Sequence, residues 1–167
     1  MAASPAKSKT ALTLALPSDR EIVLTRTFDA PRALVFKTMT DPALIPKWWG
    51  PHGCTTVVDK MDLRPGGEWR YIHGMPNGGQ TAFHGVYREI VPPERIVYTF
   101  EWEGLPGHAS TETVTFEERD GKTTLTNTVR FDSVEDRDGM LHSGMEKGAA
   151  ETMDRLAVLL DEVGQRG

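Results

Sequence analysis

Six runs with strand character follow one another between residues 54 and 131, and a turn signal separates each from the next. The separators are rich in glycine, proline, asparagine and aspartate, which tight turns favour; they are 64–67, 75–79, 91–94, 104–107 and 119–122. A seventh run precedes them, in which Ile22, Leu24 and Phe28 share one face of a predicted strand. The pattern predicts an antiparallel meander of seven strands, at about 21–28, 54–63, 68–74, 81–91, 95–103, 110–118 and 123–131.

Helices are predicted on both sides of this meander. Asp29 and Asp41 each stand just before a proline, Pro31 and Pro42, and this combination of capping residue and proline is typical of a helix start. It predicts two short helices between the first and second strands. After residue 131 the apolar residues recur at helical spacing, at Met145, Ala149, Thr152, Leu156, Leu159, Leu160 and Val163. One long amphipathic helix is therefore predicted to end the chain and to pack on the sheet.

The composition indicates one domain. With 167 residues and 38% apolar content the chain is long enough for a substantial core, which we place at residues 19–165. Residues 1–18 are predicted to form a disordered or loosely attached tail. The apolar run 11–16 is too short for the apolar region of a signal peptide. No stretch approaches the roughly 20 apolar residues of a membrane span. The single cysteine, Cys54, excludes an internal disulfide and suits the cytoplasm.

Two adjacent tryptophans, Trp48 and Trp49, follow the predicted short helices. Neighbouring side chains point about 100° apart on a helix and to opposite faces of a strand, so the two rings face different surroundings. One ring is expected to anchor the core. The other is expected to line a cavity or a contact surface, unless both simply close a large core.

A sheet face crowded with aromatic side chains predicts a hollow between the sheet and the terminal helix. Trp69, Tyr71 and His73 share one side of their strand, and Tyr98, Phe100 and Trp102 share one side of another. The predicted ligand-contacting residues are Trp49, Trp69, Tyr71, His73, Tyr98, Phe100, Trp102, Asn127, Met145 and Gly148. Glycine is unfavourable inside a helix, so Gly148 is expected either to leave room for a ligand or to permit close packing.

Few side chains suggest catalysis. His73 is a weak acid/base candidate, with a structural role as the alternative, since imidazole titrates near neutral pH. Arg26 lies on a mostly apolar strand face, where it requires either a structural salt bridge or a ligand anion; Asn127 allows either a ligand contact or a structural hydrogen bond. The histidines and Cys54 show no metal-ligand spacing, and no phosphate-binding or nucleophile motif occurs, so no metal and no cofactor are predicted.

Six segments carry a resemblance to a known family. They are 26–31, 40–42, 48–51, 62–67, 85–90 with 93–95, and 143–148. In these segments the chain resembles bacterial proteins similar to the activator of the 90-kDa heat-shock-protein ATPase, within the START-like, polyketide-cyclase-like superfamily. The resemblance implies an α+β helix-grip fold, with the antiparallel sheet wrapped around the long C-terminal helix. That superfamily includes ligand carriers, aromatase-cyclases, hormone receptors and co-chaperones.

Three functions are compatible with this fold. The preferred hypothesis is non-enzymatic binding of a small hydrophobic ligand, aromatic or lipid-like, between the sheet and the terminal helix. A co-chaperone role linked to the stress response is the first alternative, weakened because the resemblance does not extend to the additional domain of the eukaryotic activators. A cyclase-like or hydrolytic enzyme is the second. The net charge of −5 and the scattered basic residues argue against nucleic acid, and an exposed strand edge allows a monomer or a homodimer.

Overall fold

An eight-stranded antiparallel sheet packs against the C-terminal helix in the computed structural model, which describes residues 11–166. The strands are β1 Thr13–Ala15, β2 Glu21–Phe28, β3 Thr55–Met61, β4 Glu68–Gly74, β5 Gln80–Val91, β6 Arg95–Trp102, β7 Ser110–Arg119 and β8 Lys122–Arg130. Their spatial order is β1-β2-β8-β7-β6-β5-β4-β3, so β3 to β8 form the predicted meander and β2 returns beside β8.

Four helices accompany the sheet: α1 Arg32–Thr40, α2 Ile45–Trp48, α3 Val134–His142 and α4 Met145–Arg166. The two short helices between the first predicted strand and the second are present as α1 and α2, and α4 is the predicted long terminal helix. The α+β architecture is confirmed.

The prediction of seven strands was wrong, because β1 adds an eighth. This strand pairs with β2 through Thr13 opposite Thr25 and Ala15 opposite Val23. Leu14 of this strand and Leu12 just before it pack on a small apolar cluster, while β1 covers hydrogen-bonding groups that the edge of β2 would otherwise expose. Part of the segment predicted as a loose tail therefore belongs to the sheet. The predicted disorder of residues 1–10 lies outside the described residues.

Helix α3 was also missed. None of its residues is fully buried, so the apolar spacing that predicts an amphipathic helix is absent. Its start is marked instead by a cap, in which Ser133 Oγ accepts a hydrogen bond from the Asp136 N–H at 3.1 Å. Acidic residues in its first turn, Glu135 and Asp136, complement the positive end of the helix dipole.

The main core lies between α4 and the middle of the sheet. Leu156, Leu159 and Leu160 of α4 are buried against side chains of β2, β4, β6, β7 and α1. Burying side chains of this size stabilises the fold by about 1.5 to 3 kcal/mol each before conformational entropy is subtracted. A smaller cluster forms around Ile22, Leu24, Val129 and Phe131, where the start of α4 passes.

One side chain crosses a strand within the sheet. The Trp69 indole on β4 lies over Gly85 of β5, and its Nε1–H donates a hydrogen bond to the Thr99 carbonyl of β6 at 3.2 Å. In the β5–β6 ladder, His84 pairs with Glu101 and Tyr87 pairs with Tyr98. Gly85 lies between these two paired positions, where the indole reaches Thr99. A glycine at 85 is thus what allows a large ring to span three strands.

Candidate functional site

The outer pocket, with a volume of about 380 Å³, lies between the ends of β5 and β6 and helix α3. Aromatic and aliphatic side chains form most of its wall: Phe83, Phe100, Trp102, Leu105, Phe131 and Met140. Its polar lining residues are His108, Ser110, Glu135, Asp136 and Ser143. A mostly apolar pocket of this size with a few polar groups falls within the range of small-molecule sites.

Gly139 of α3 also lines the outer pocket. A Cβ atom built on this glycine meets no atom within 4 Å. The helix therefore presents exposed backbone there, and a Cβ at this position would meet open space.

A hydrogen bond joins the two sides of the outer pocket. His108, in the connection between β6 and β7, has its Nδ1 2.8 Å from Oδ1 of Asp136 on α3. In the tautomer that donates from Nδ1, the other ring nitrogen, Nε2, is free to accept a proton. This is the only histidine–carboxylate pair among the lining residues of the outer pocket, and it was not anticipated from the sequence.

A second, inner cavity of about 60 Å³ lies between the sheet and helices α1 and α2. Its lining includes the predicted residues Trp49, Trp69, Tyr71 and Tyr98, together with Trp48 and Tyr87. A volume of this size holds a few water molecules but not a drug-sized ligand.

An aromatic wall, formed by Trp49, Trp69, Phe83 and Phe100, separates the two cavities. The ring centroids of Trp49 and Phe83 are 5.3 Å apart, those of Trp69 and Phe100 are 5.9 Å apart, and those of Phe83 and Phe100 are 5.2 Å apart. Trp49 and Trp69 face the inner cavity, whereas Phe83 and Phe100 line the outer pocket. The residues that we expected to line one cavity thus line two separate cavities in the structure.

The tryptophan pair belongs to the inner cavity. Trp48 is buried, Trp49 is half-buried, and both pack on the main core. Trp49 makes edge-to-face contacts with Tyr71 at 5.2 Å and with His73 at 5.7 Å. Both rings therefore contribute to the core, while also lining the smaller of the two spaces.

His73 is held in an apolar environment. It is 8% exposed and packs edge-to-face on Trp49 and on Phe83, whose centroid is 5.8 Å away. Burial lowers the pKa of His73, and the positive charge of Arg155 lowers it further. Its Nδ1 has no hydrogen-bond partner within residues 11–166, so no carboxylate there orients it as a base. These contacts favour the structural interpretation.

The remaining predicted residues are dispersed. Trp102 is 45% exposed at the edge of the outer pocket, and its Nε1 donates to Thr81 Oγ1 at 2.6 Å. Met145 packs on the small cluster around Ile22. A Cβ at Gly148 would lie 3.6 Å from Cγ of Pro51, so this glycine faces the α2–β3 connection.

Arg26 forms a structural salt bridge. It is 6% exposed, and its Nη1 lies 2.6 Å from Oδ1 of Asp154 on α4. Its guanidinium carbon also lies 5.4 Å from the centroid of the Phe28 ring. Of the two interpretations left open by the sequence, the structure supports the ion pair between sheet and helix.

A polar trio, Tyr98, Glu112 and Asn127, was missed as a unit. Glu112 Oε1 accepts hydrogen bonds from the Tyr98 hydroxyl and from Asn127 Nδ2, each at 2.9 Å. Burial raises the pKa of Glu112, and the two donors oppose that shift. A sequence signal existed, because Glu112 has the same strand parity as the buried Val114 and Phe116.

Neither a metal-binding cluster nor a membrane-spanning helix is present among the described residues. Within residues 11–166 no group of three or more histidine, cysteine, aspartate or glutamate side chains is arranged to hold a metal ion. In the same part of the chain no helix combines the length and apolar character needed to cross a membrane.

Known proteins with the same fold are numerous. The structure superimposes with a TM-score of 0.81 on protein Ms6760 from Mycobacterium smegmatis, which is 27% identical; the match covers 89% of this chain and 96% of that one. A protein from Rhodobacter sphaeroides gives a TM-score of 0.85 at 23% identity, over 91% and 99% of the two chains.

Sequence comparison assigns the family. An uncharacterized protein of Schizosaccharomyces pombe, C1711.08, is 30% identical over 100 residues, which are 59% of this chain and 26% of that protein. The chain thus matches about a quarter of the length of this curated relative. A family model described as activator of Hsp90 ATPase homolog 1-like protein matches residues 29–161, so the predicted family is confirmed. The chain belongs to the family of activator of Hsp90 ATPase homolog 1-like proteins.

Proposed function

We propose that this protein binds a small, mostly apolar molecule in the outer pocket. The observation that carries the proposal is the combination of a volume of about 380 Å³ with a wall built from Phe83, Phe100, Phe131 and Met140. Apolar surface of this kind gains free energy when a ligand displaces water from it. The inner cavity, at about 60 Å³, has no room for such a ligand.

N-phenyl-1-naphthylamine is a suitable first probe, because it is neutral, largely apolar and fluorescent mainly in apolar surroundings. We expect a saturable rise in its emission with one equivalent bound, and a higher melting temperature of the protein. Trp102, at the edge of the pocket, is expected to change its own emission in the same titration. A probe that neither brightens nor raises the melting temperature would contradict the proposal.

A second candidate function is hydrolysis of an ester bound in the outer pocket, and the His108–Asp136 hydrogen bond favours it. In this reaction Asp136 orients the imidazole, and His108 accepts a proton from water as the water oxygen bonds to the ester carbonyl carbon. The carbon–oxygen bond to the alcohol then breaks, the proton passes from His108 to the leaving alcohol oxygen, and the carboxylic acid is the second product. A 1-naphthyl ester fits the apolar wall in size and character.

Turnover of 1-naphthyl acetate distinguishes this candidate from simple binding. Catalysis predicts hydrolysis above the buffer rate, with a loss of about 100-fold on His108→Gln, as expected for a general base. His84→Gln is the matched control, since His84 lies outside the lining of the outer pocket and pairs with Glu103. Equal rates with and without protein would rule out this function.

A further inference from the structure

On β6 and β7, the next pair of inward-facing side chains beyond the outer pocket is polar. Phe100 of β6 pairs with Ser110 of β7, and both line the pocket. Two residues further along the same strands, Tyr98 pairs with Glu112. Residues two apart on a strand share a face and lie about 6.6 Å apart, so Glu112 is one row inward from the pocket lining.

Glu112 retains unused hydrogen-bonding capacity. A carboxyl group offers about four lone-pair positions, and both observed donors, Tyr98 and Asn127, bond to Oε1. Within residues 11–166 no donor bonds to Oε2, and this oxygen is not among the buried side-chain atoms that lack a partner there. Asn127 Oδ1 is buried and also lacks a partner there. A buried acceptor without a donor carries a free-energy penalty, so Asn127 Oδ1, with Oε2 of Glu112 beside it, favours a group that donates hydrogen bonds.

No cation supplies that donor. In the described part of the chain, Glu112 takes part in no ion pair, and Arg26 on β2 is engaged with Asp154 of α4. Burial raises the pKa of the Tyr98 hydroxyl well above its ordinary value, so this group stays a donor to Glu112. Two neutral donors thus bond to one oxygen of the carboxyl group, Oε1, and the other oxygen, Oε2, has no donor among the described residues.

We propose that Glu112, held in place by Tyr98 and Asn127, binds a hydroxyl or amine group at the inner end of the ligand in the outer pocket. The ligand class is then an apolar, ring-sized body that carries one hydrogen-bond donor. This inference rests on the proposed binding function, and it adds a polar contact that determines specificity. The apolar wall contacts the body of the ligand, and Glu112 selects its polar end.

Two matched probes test this selection: 1-naphthol and 1-methylnaphthalene have the same ring system and differ in whether they carry a hydroxyl or a methyl group. Their dissociation constants are measured by displacement of N-phenyl-1-naphthylamine. The native protein is expected to bind 1-naphthol about tenfold more tightly, the effect of one hydrogen bond to a charged or buried carboxyl. Water favours 1-naphthol more than it favours the methyl compound, so apolar burial alone would give the opposite order.

Glu112→Gln should reduce the preference for 1-naphthol several-fold and leave the affinity for 1-methylnaphthalene unchanged. Glu117→Gln is the matched control, because Glu117 lies exposed on the same strand. Tyr98→Phe removes one donor from Glu112 and should keep or increase the preference, which a purely structural role of the trio does not predict.

Each outcome bears on one of the two proposals. Native protein that binds both probes without preferring 1-naphthol overturns the role of Glu112 while leaving the binding function intact. The same conclusion follows if Glu112→Gln folds, binds and keeps the full preference. Failure of N-phenyl-1-naphthylamine and both smaller probes to bind overturns the binding function itself.

Discussion

Gly139→Leu is expected to weaken binding of N-phenyl-1-naphthylamine by at least about tenfold, as a misplaced methylene or larger group does in an apolar pocket. Gly139 lines the outer pocket and its Cβ position has no neighbour within 4 Å, so the added Cβ fits without a clash and the longer leucine side chain is expected to occupy part of the pocket. The free energy of unfolding should rise by about 1 kcal/mol, because leucine has a much higher helix propensity than glycine. Fluorescence titration and thermal unfolding of the same sample measure both effects.

Gly148→Ala is the matched control for this variant. Gly148 lies in α4, outside the lining of the outer pocket, and its Cβ position is in ordinary contact with Pro51. We expect a similar gain in stability with unchanged affinity. A Gly139→Leu protein that binds the probe at full strength would show that the ligand does not occupy the outer pocket. Loss of binding in Gly148→Ala would instead return the site to α4, as the sequence had suggested.

Much of the architecture could be predicted from local patterns. The turn signals between 64 and 122 divide the chain into the strands that the structure shows, and the apolar spacing from Met145 to Val163 marks α4. Such patterns arise because the buried positions of an element are apolar and recur with the period of that element. Helix α3 and strand β1 lack such a period, because α3 buries no residue fully and β1 contributes one short edge.

Less of the candidate site than of the fold could be predicted from the sequence. Strand parity identified most of the aromatic residues, but parity does not tell which side of an aromatic contact faces open space. The outer pocket depends on α3 and on the loop that carries His108, and neither has a periodic signal. Gly148 was selected by its place in a strongly amphipathic helix, whereas the glycine that lines the outer pocket, with no atom near its Cβ position, is Gly139. Glu112 could have been found by the parity argument that identified Arg26.

Gly85→Ala is expected to destabilise the protein by about 3 kcal/mol, at the upper end of the range for overpacking a core. A Cβ at this position would overlap the Thr99 carbonyl oxygen of the neighbouring strand and lie 2.6 Å from Nε1 of Trp69. The hydrogen bond from Trp69 to Thr99 would be broken or displaced. For a domain of this size the melting temperature should fall by roughly 10 °C, with a change in tryptophan emission.

Two further variants locate the cause of that loss. Gly139→Ala adds the same methyl group where nothing lies within 4 Å, so it should be neutral or stabilising. Trp69→Phe combined with Gly85→Ala tests whether the ring or the backbone is the obstacle. Because the nearest clash is with backbone of β6, which cannot rotate away, the smaller ring should restore little stability. Full recovery in the double variant would show that the sheet yields at Thr99 and that Gly85 is required only for the indole of Trp69.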